Sequence, residues 1–429
     1  MLFMQLTPDE QKMLNGDCGP LQREALTRVM QYAEVVKAPS LCDVTMAHLF
    51  CGAHPYLEAV ASKSFDEVHS EMSFVSKEKL IFDQLAPGCL CQSDVFPISA
   101  NNWSAMTDDE ERVRLNEEYL KRFAAMGVRL VGTCIPYMTG FIPLAGEHYV
   151  SSESHAVLLM NSLWGACGHA DGLEAGFWAA VCGKTPYWGL HVPTERRGNQ
   201  VYDIQADLKT VHDWDLFGHA AGRKIPPMTI PVFKEGFARP NIFKLKSAAA
   251  SLATTSGAEM MHLVGLTPEA PTLEAALAPE ANREVIPITR QDMEDSRAML
   301  SCGERRPVDY VSVGCPHLAP GQLGEIAAFL DGKKISPNTI LHIWTAAPFK
   351  EVADRCGYTE TIEKTGASLL TNTCPLVSAR LPKGAGTVAF DSAKQAHYMT
   401  SEVSQKIMYG SWQDCLNTAL SGVWEGVAG

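Results

Sequence analysis

From about residue 128 onward, short apolar segments alternate with longer amphipathic ones, and this alternation is the feature that most restricts the fold. Val128–Val131, Met260–Val264, Val308–Val313, Ser368–Thr371 and Thr387–Phe390 read as strands. Helical patterns follow several of them, with Pro320 near one start, a second at about Phe349–Lys364 ending at Gly366, and a third after Asp391-Ser392-Ala393-Lys394. Strands that alternate with helices predict α/β layers with largely parallel sheets. The first 125 residues read instead as mostly helical. Thr7-Pro8-Asp9-Glu10 is a capping box, and Gly16 ends that short helix. Pro20 opens a second helix with an apolar stripe of Leu21, Ala25, Val29 and Ala33. Thr107-Asp108-Asp109-Glu110 is a further capping box, for a helix to about Met126 with Gly127 just beyond. Ala276–Ser296 is polar with two prolines and reads as a domain boundary, giving 1–285 (helical region plus a first α/β domain) and 286–429 (a second α/β domain).

Composition removes several function classes. Thirty-six Lys and Arg against 49 Asp and Glu leave a net charge of −13. Without a basic cluster, such a chain is a poor partner for nucleic acid or an anionic membrane. No apolar run approaches the roughly 18 residues of a membrane span. The N-terminus turns acidic at once and lacks a secretory pattern, so a cytoplasmic location is expected. The 13 cysteines agree with a reducing compartment, because the number is odd and a chain this long needs no disulfide framework.

Open α/β sheets bind ligands outside the carboxyl ends of their strands. Cys134, Cys315 and Cys374 each follow a predicted strand, in Gly/Pro-punctuated loops with Pro136, Pro316 and Pro375 close behind. Proline keeps such a loop out of regular structure and displays the thiol. Three thiolates from separate loops suit zinc or an iron–sulfur cluster, and the spacing does not choose between them. Cys89 and Cys91 form the one close pair, and C-x-C is not the usual structural-zinc pattern. Lys394 sits where it can bind a carboxylate or act as an acid. Glu147, His148, Ser152, Glu153 and Ser154 form a polar group before a helix, which N-capping alone would also explain. His48 and His397 suit ligands, proton carriers or core histidines equally. The chain has no Walker loop, G-x-G-x-x-G or H-E-x-x-H.

GTCIPYMTGFIPLAGEHYVSSESHAV, GLTPEAPTLEAAL, VDYVSVGCPHLAPGQLGEIA, LLTNTCPLVS and DSAKQAHY, in that order, together resemble the large subunit or catalytic domain of aconitase X. The opening LTPDEQKMLNGDCGPLQREAL is similar to the start of that subunit, so the resemblance covers nearly the whole chain. It implies an aconitase-like fold and a hydro-lyase with an iron–sulfur cluster of open nuclearity (2Fe-2S, 3Fe-4S or 4Fe-4S). Its ligands map onto Cys134, Cys315 and Cys374. Family members dehydrate cis-3-hydroxy-L-proline or mevalonate 5-phosphate, and the large part works with a small swivelling domain that can be a separate subunit. The expected partners are therefore that subunit and a small hydroxylated carboxylate, with 3-hydroxyproline first. Lys394, Ser154, Glu153 and His48 are the expected catalytic residues; Thr133, Ser152, Asn372, Ser392 and His317 are expected to bind substrate. A phosphomevalonate dehydratase is the first alternative, opposed by the lack of an obvious phosphate clamp. A non-catalytic partner-binding homologue and a zinc lyase are the others. The family motif T-S-A-H-x-S-G reads here Thr45-Met46-Ala47-His48-Leu49-Phe50-Cys51, and Gln395 replaces a small residue. These changes predict a pocket more apolar on one side, with Trp164, Trp178 and Trp188 as further apolar residues.

Overall fold

The computed structural model describes residues 4–52, 56, 59, 62–106, 109–378, 380–402 and 406–425. In the N-terminal part, α1 (Pro8–Asn15) and α2 (Pro20–Val36) begin and end as the caps dictate. Thr7 and Glu10 exchange both capping-box hydrogen bonds, and Gly16 takes the left-handed conformation at the end of α1. The α2 stripe is buried against α5 (Leu173–Cys182). Thr107 and Asp108, half of the second expected capping box, lie outside the described residues. Asp109 is the N-cap of α3 (Glu110–Ala125), accepting from the Arg112 N–H.

Strands β1 (Leu41–Asp43), β2 (Met46–Leu49), β3 (Leu90–Ser93), β4 (Tyr149–Ser151) and β5 (Lys184–Pro186) form two small sheets. One is parallel in the order β3-β2-β4, and the other pairs β1 with β5 antiparallel. α4 (Ser154–Trp164) follows β4 directly. Val128–Val131, expected as a strand, makes one isolated bridge, Gln92 with Arg129, and is otherwise irregular. The chain turns away at a left-handed Gly132.

The middle of the chain carries the parallel sheet β8-β7-β6-β9, made of β6 (Gly198–Gln205), β7 (Pro231–Phe233), β8 (His262–Leu263) and β9 (Leu277–Thr289). Its helices are α6 (Val211–Gly222), α7 (Ile242–Ser256) and α8 (Arg290–Leu300). The stretch expected as a boundary is β9, which runs unbroken through 285 and 286 and leads straight into α8. The sequence misleads there because β9 is an edge strand. It pairs with β6 alone and is mostly solvent-facing, so it is polar and tolerates Pro279 and Pro287.

The last part is a five-stranded parallel sheet in the order β12-β11-β10-β13-β14. Its strands are β10 (Tyr310–Leu318), β11 (Ile340–Thr345), β12 (Ser368–Thr371), β13 (Thr387–Phe390) and β14 (Lys406–Tyr409). Helices α9 (Pro320–Leu330), α10 (Ala347–Arg355), α11 (Tyr358–Glu363), α12 (Ala393–Glu402) and α13 (Trp412–Ser421) complete this part. The single helix expected over Phe349–Lys364 is thus two helices, divided at a left-handed Gly357. The chain leaves central β10 toward β11 and β12, then returns to β13 on its other side. The crevice between β10 and β13 is therefore the topological switch point of the sheet. One buried core joins all three parts, with Met46 and Tyr149, Trp214 and Phe217, and Tyr310, Phe390 and Tyr409 in a single cluster.

Candidate active site

Cys315 lies within β10 rather than after it, because the strand continues in distorted form to Leu318. Its pairing with β11 jumps from Val313 to Leu318. Gly314 begins the distortion at φ 112°, and a Cβ there would sit 2.5 Å from the Trp344 carbonyl oxygen, so only glycine lets β10 bend against β11. The Cys315–Pro316 peptide bond is cis. Cys374 follows β12 through Asn372 and Thr373, and Cys134 follows the irregular segment after α3.

These three cysteines converge. Each is free; Cys134 feels the charge of Cys315 and Cys374, and Cys315 feels that of Cys374. Burial, reinforced by neighbouring charges, raises the Cys134 thiol well above its ordinary range. It pushes Cys315 up to about 12 and Cys374 to about 11. Each sulfur also has a donor. The His317 N–H points at Cys134 Sγ, 3.4 Å away. The Ser392 hydroxyl faces Cys315, and the Leu376 and Val377 N–H groups face Cys374. Half-buried thiols with donors aimed at them fit a set of thiolates that bind metal together.

His317 ties the three loops. Its Nε2 lies 3.1 Å from the Thr373 carbonyl oxygen, and its Nδ1 lies 3.1 Å from Thr133 Oγ1. Nε2–H must therefore donate to the carbonyl, and Nδ1 accepts the threonine proton. His48 repeats the arrangement, with Nε2 3.1 Å from the Thr133 carbonyl and Nδ1 3.2 Å from Ser151 Oγ. Burial lowers both histidines to about 4, so both rings are neutral. Both nitrogens of each are occupied, which makes His48 and His317 struts of the loop framework. Asn372 is a strut as well: its φ is 70°, its carbonyl accepts from the Phe96 N–H, and its side chain meets Ser99. Gly132 packs against it, where a Cβ would be 2.8 Å from Asn372 Oδ1.

Charge is concentrated on the other wall. Lys394 Nζ and His155 Nδ1 each lie 2.7 Å from Glu153 Oε1. Burial opposes the charge on both Lys394 and Glu153, but each outweighs it for the other. The lysine is held up and the carboxylate well down, an ion pair at neutral pH. Cys315 and Cys134 also raise Lys394, which places the ammonium beside the thiols. Asp215 fixes this lysine's helix by accepting from the Ala393 N–H at 2.7 Å. Ser152 donates to Asp94 at 3.2 Å, and burial and the charge of Glu153 raise Asp94 well above the usual carboxylate range. Ser154 heads α4 next to Glu153.

Five residues at this site escaped the sequence reading: Asp94, Tyr137, His155, Lys246 and Asp391. Tyr137 Oη and His155 Nε2 are buried without hydrogen-bond partners. Lys246 donates to the Pro316 and His317 carbonyls and to Gln322, and burial lowers it to about 8. It opens with Cys315 and Asp391 onto a cavity of 110 Å³. A lysine within the small-residue run of α7 was a legible signal, because a charge there has no solvent to meet.

Other expectations move away from the site. Met46 and Cys51 are buried in the core, whereas Phe50, the other altered residue of that motif, is half-buried. Trp164 packs on Tyr137, Trp178 donates to the Ser73 carbonyl, and Trp188 stacks on His169. His397 pairs with His219 at 3.1 Å, and Cys89 lies 3.8 Å from Cys91. Glu147 accepts from the Leu144 N–H at the far end of β4.

Fold and site together define a multidomain α/β enzyme whose candidate site joins the first and last parts of the chain to Lys246 on α7 of the middle part. Family models for the first, second and third domains of aconitase X match residues 3–194, 198–298 and 308–421. The chain belongs to the aconitase X family and is a dehydratase, that is, a hydro-lyase. The phosphomevalonate dehydratase large subunit of Methanocaldococcus jannaschii is 27% identical over 96% of this chain and 99% of that one. The equivalent subunit of Thermococcus kodakarensis is 30% identical over 93% and 95%. The cis-3-hydroxy-L-proline dehydratase of Pseudomonas aeruginosa is 26% identical over 96% of this chain and 69% of that protein. The crystal structure of Thermococcus kodakaraensis aconitase X (holo-form) has the same fold, with a TM-score of 0.80 at 24% identity over 97% of this chain. Among the described residues no helix is long and apolar enough to cross a membrane.

Proposed function

We propose that this chain is the large subunit of an iron–sulfur dehydratase acting on a small hydroxylated carboxylate, with cis-3-hydroxy-L-proline the first candidate. The observation that carries this reading is the set of three half-buried thiols, each with its own hydrogen-bond donor, beside the Lys394–Glu153 ion pair. Cys134, Cys315 and Cys374 would hold the cluster, which supplies Lewis acidity toward a leaving hydroxyl when bound. A cluster suits these sulfurs better than one zinc ion. Tetrahedral zinc holds its thiolates about 3.8 Å apart. Among the described residues the donor set found within 4.8 Å of one another is a different one, away from these loops.

The protein groups divide the remaining work. Lys394 has N–H groups beyond its bond to Glu153 and lies beside the thiols, where it can hold the substrate carboxylate. His155 gives its Nδ1–H to Glu153, which leaves Nε2 as a lone pair with no protein partner. That atom is the acceptor we assign to the proton removed next to the carboxylate, a task suited to neutral imidazole. Tyr137 Oη, also unpartnered, is a donor for the substrate. Ser152, Ser154 and Ser392 line the same wall, while Thr133, Asn372, His48 and His317 keep its loops in place.

Relatives named as large subunits support a small-subunit partner, which would close the site and can bring a further catalytic group. The free thiols fit a cytoplasmic enzyme. Mevalonate 5-phosphate is the second reading, favoured by the relatives that match over nearly their whole length. Both nearby buried lysines already have protein partners, which favours a carboxylate over a phosphate. The test is anaerobic co-purification with the small subunit, with iron, zinc and acid-labile sulfide measured before assays on both substrates. Matched iron and sulfide with turnover of hydroxyproline is the expected result. A protein that stays colourless after reconstitution would end the iron–sulfur reading.

A further inference from the structure

A second donor set lies outside this site, and the dehydratase reading makes no use of it. Cys42 on β1, His148 just before β4 and His191 in the 3-10 turn after β5 each offer one ligand atom. The three atoms lie within 4.8 Å of one another. The chain direction separates this set from the thiol loops. β4 delivers Ser151, Ser152 and Glu153 to the active site at its C-terminal end, and His148 stands at its other end. From His148 to Ser152 is about 13 Å of extended chain.

The local packing brings these donors together, the two imidazoles paired with each other and the thiol only weakly held. Thr45 N–H donates to the His148 carbonyl, which fixes that residue beside β2. The β1–β5 pair carries Cys42 against Thr185, and the next turn brings His191 back over it. His148 Nδ1 and His191 Nδ1 are 3.1 Å apart. His191 is 1% exposed and its Nε2 has no hydrogen-bond partner. The Cys42 thiol meets the Thr185 carbonyl in a weak contact at 3.7 Å. Cys167 pairs with His148 in an isolated parallel bridge, and its charge reaches Cys42.

One thiol and two imidazoles form a borderline-soft donor set, the kind zinc takes in tetrahedral geometry. With Zn–N of about 2.0–2.1 Å and Zn–S of about 2.3 Å, the two nitrogens would be about 3.3 Å apart and each about 3.5 Å from the sulfur. The histidine pair is already at that separation, and the thiol lies within 4.8 Å of both. We propose that Cys42, His148 and His191 bind a zinc ion, with Cys167 or water in the fourth position. The ion would staple the β1–β5 pair onto the three-stranded sheet, a structural role independent of turnover. The competing arrangement is a plain hydrogen bond between two histidines, which binds no metal.

The test uses the full chain with Cys134, Cys315 and Cys374 all changed to Ser, so that the active-site loops cannot take the ion. Cobalt(II) added without oxygen should bind at one equivalent, with the ligand-field bands of tetrahedral cobalt and a sulfur-to-cobalt charge-transfer band. Zinc should displace it and raise Tm. Adding Cys42→Ser should remove the charge-transfer band, and adding His191→Gln should remove the tetrahedral bands. Absence of those bands in the loop variant, or their persistence in both added variants, overturns the proposal. If the loop variant does not fold, elemental analysis of the wild-type holoenzyme replaces it. Cys42→Ser and His191→Gln should then lose zinc and keep their iron, and unchanged zinc overturns the proposal.

Discussion

The Lys394–Glu153–His155 group and the His48–Thr133–His317 group are buried among the same loops, yet one carries charge and the other carries none. Burial opposes ionisation in both. The difference lies in the partners. Lys394 and Glu153 each meet an opposite charge at 2.7 Å, and that attraction outweighs desolvation. His48 and His317 meet carbonyls and hydroxyls, which a neutral imidazole satisfies fully, so nothing compensates a charge there. On the proposed reading the charged group does the chemistry and the neutral one holds the loops in place.

Four experiments would break or sharpen this contrast. Cys315→Ala should abolish turnover and the visible absorbance of the cluster while leaving circular dichroism unchanged; retained turnover would detach the thiols from the chemistry altogether. Lys394→Met should lower turnover by about 10²–10⁴-fold. It leaves Glu153 buried with only His155, so denaturant unfolding should show a loss of about 3–5 kcal/mol. Adding Glu153→Gln should recover stability but not activity, and recovery of both would mean that the pair is merely structural.

The neutral group should betray itself through acid. The folded-state value of His48, about 4, lies below the ordinary 6.5, so the unfolded chain takes up the proton first as pH falls. The contribution is complete above pH 6.5 and disappears as pH falls toward 4. At about 1.4 kcal/mol per pH unit this amounts to about 3 kcal/mol. The stability advantage of wild type over His48→Gln, measured by urea unfolding across that range, should shrink accordingly; a constant difference would mean that folding leaves the ring's proton affinity unchanged. Thr133→Val should have the smallest effect. It keeps the shape but leaves His317 Nδ1 without its donor, a cost of about 1–3 kcal/mol, with turnover reduced far less than in Lys394→Met.

Much of the site was legible in the chain itself. Gly and Pro flanking Cys134, Cys315 and Cys374 marked all three as loop-displayed, and Lys394, Glu153 and Ser392 were readable from their positions at element ends. His155, Asp94 and Lys246 were not, because a polar residue inside an apolar run looks alike whether it is a satisfied core group or one aimed into a site. The roles of His48 and His317 were equally hidden. Whether a histidine is a proton carrier or a strut depends on what meets both ring nitrogens, and here Thr133, more than 80 residues away in each direction, meets one nitrogen of each.

The same division holds for the fold. Local sequence determined the helix caps at Thr7 and Gly16, the parallel α/β character and the positions of most strands after residue 300, since backbone propensity and apolar periodicity act over a few residues. Tertiary structure alone decided that β9 is an edge strand, that β10 bends at Gly314, and that Cys134 of the first part meets Cys315 and Cys374 of the last, with Lys246 of the middle part nearby. Those outcomes depend on which surfaces meet across hundreds of residues, and no local pattern carries that information.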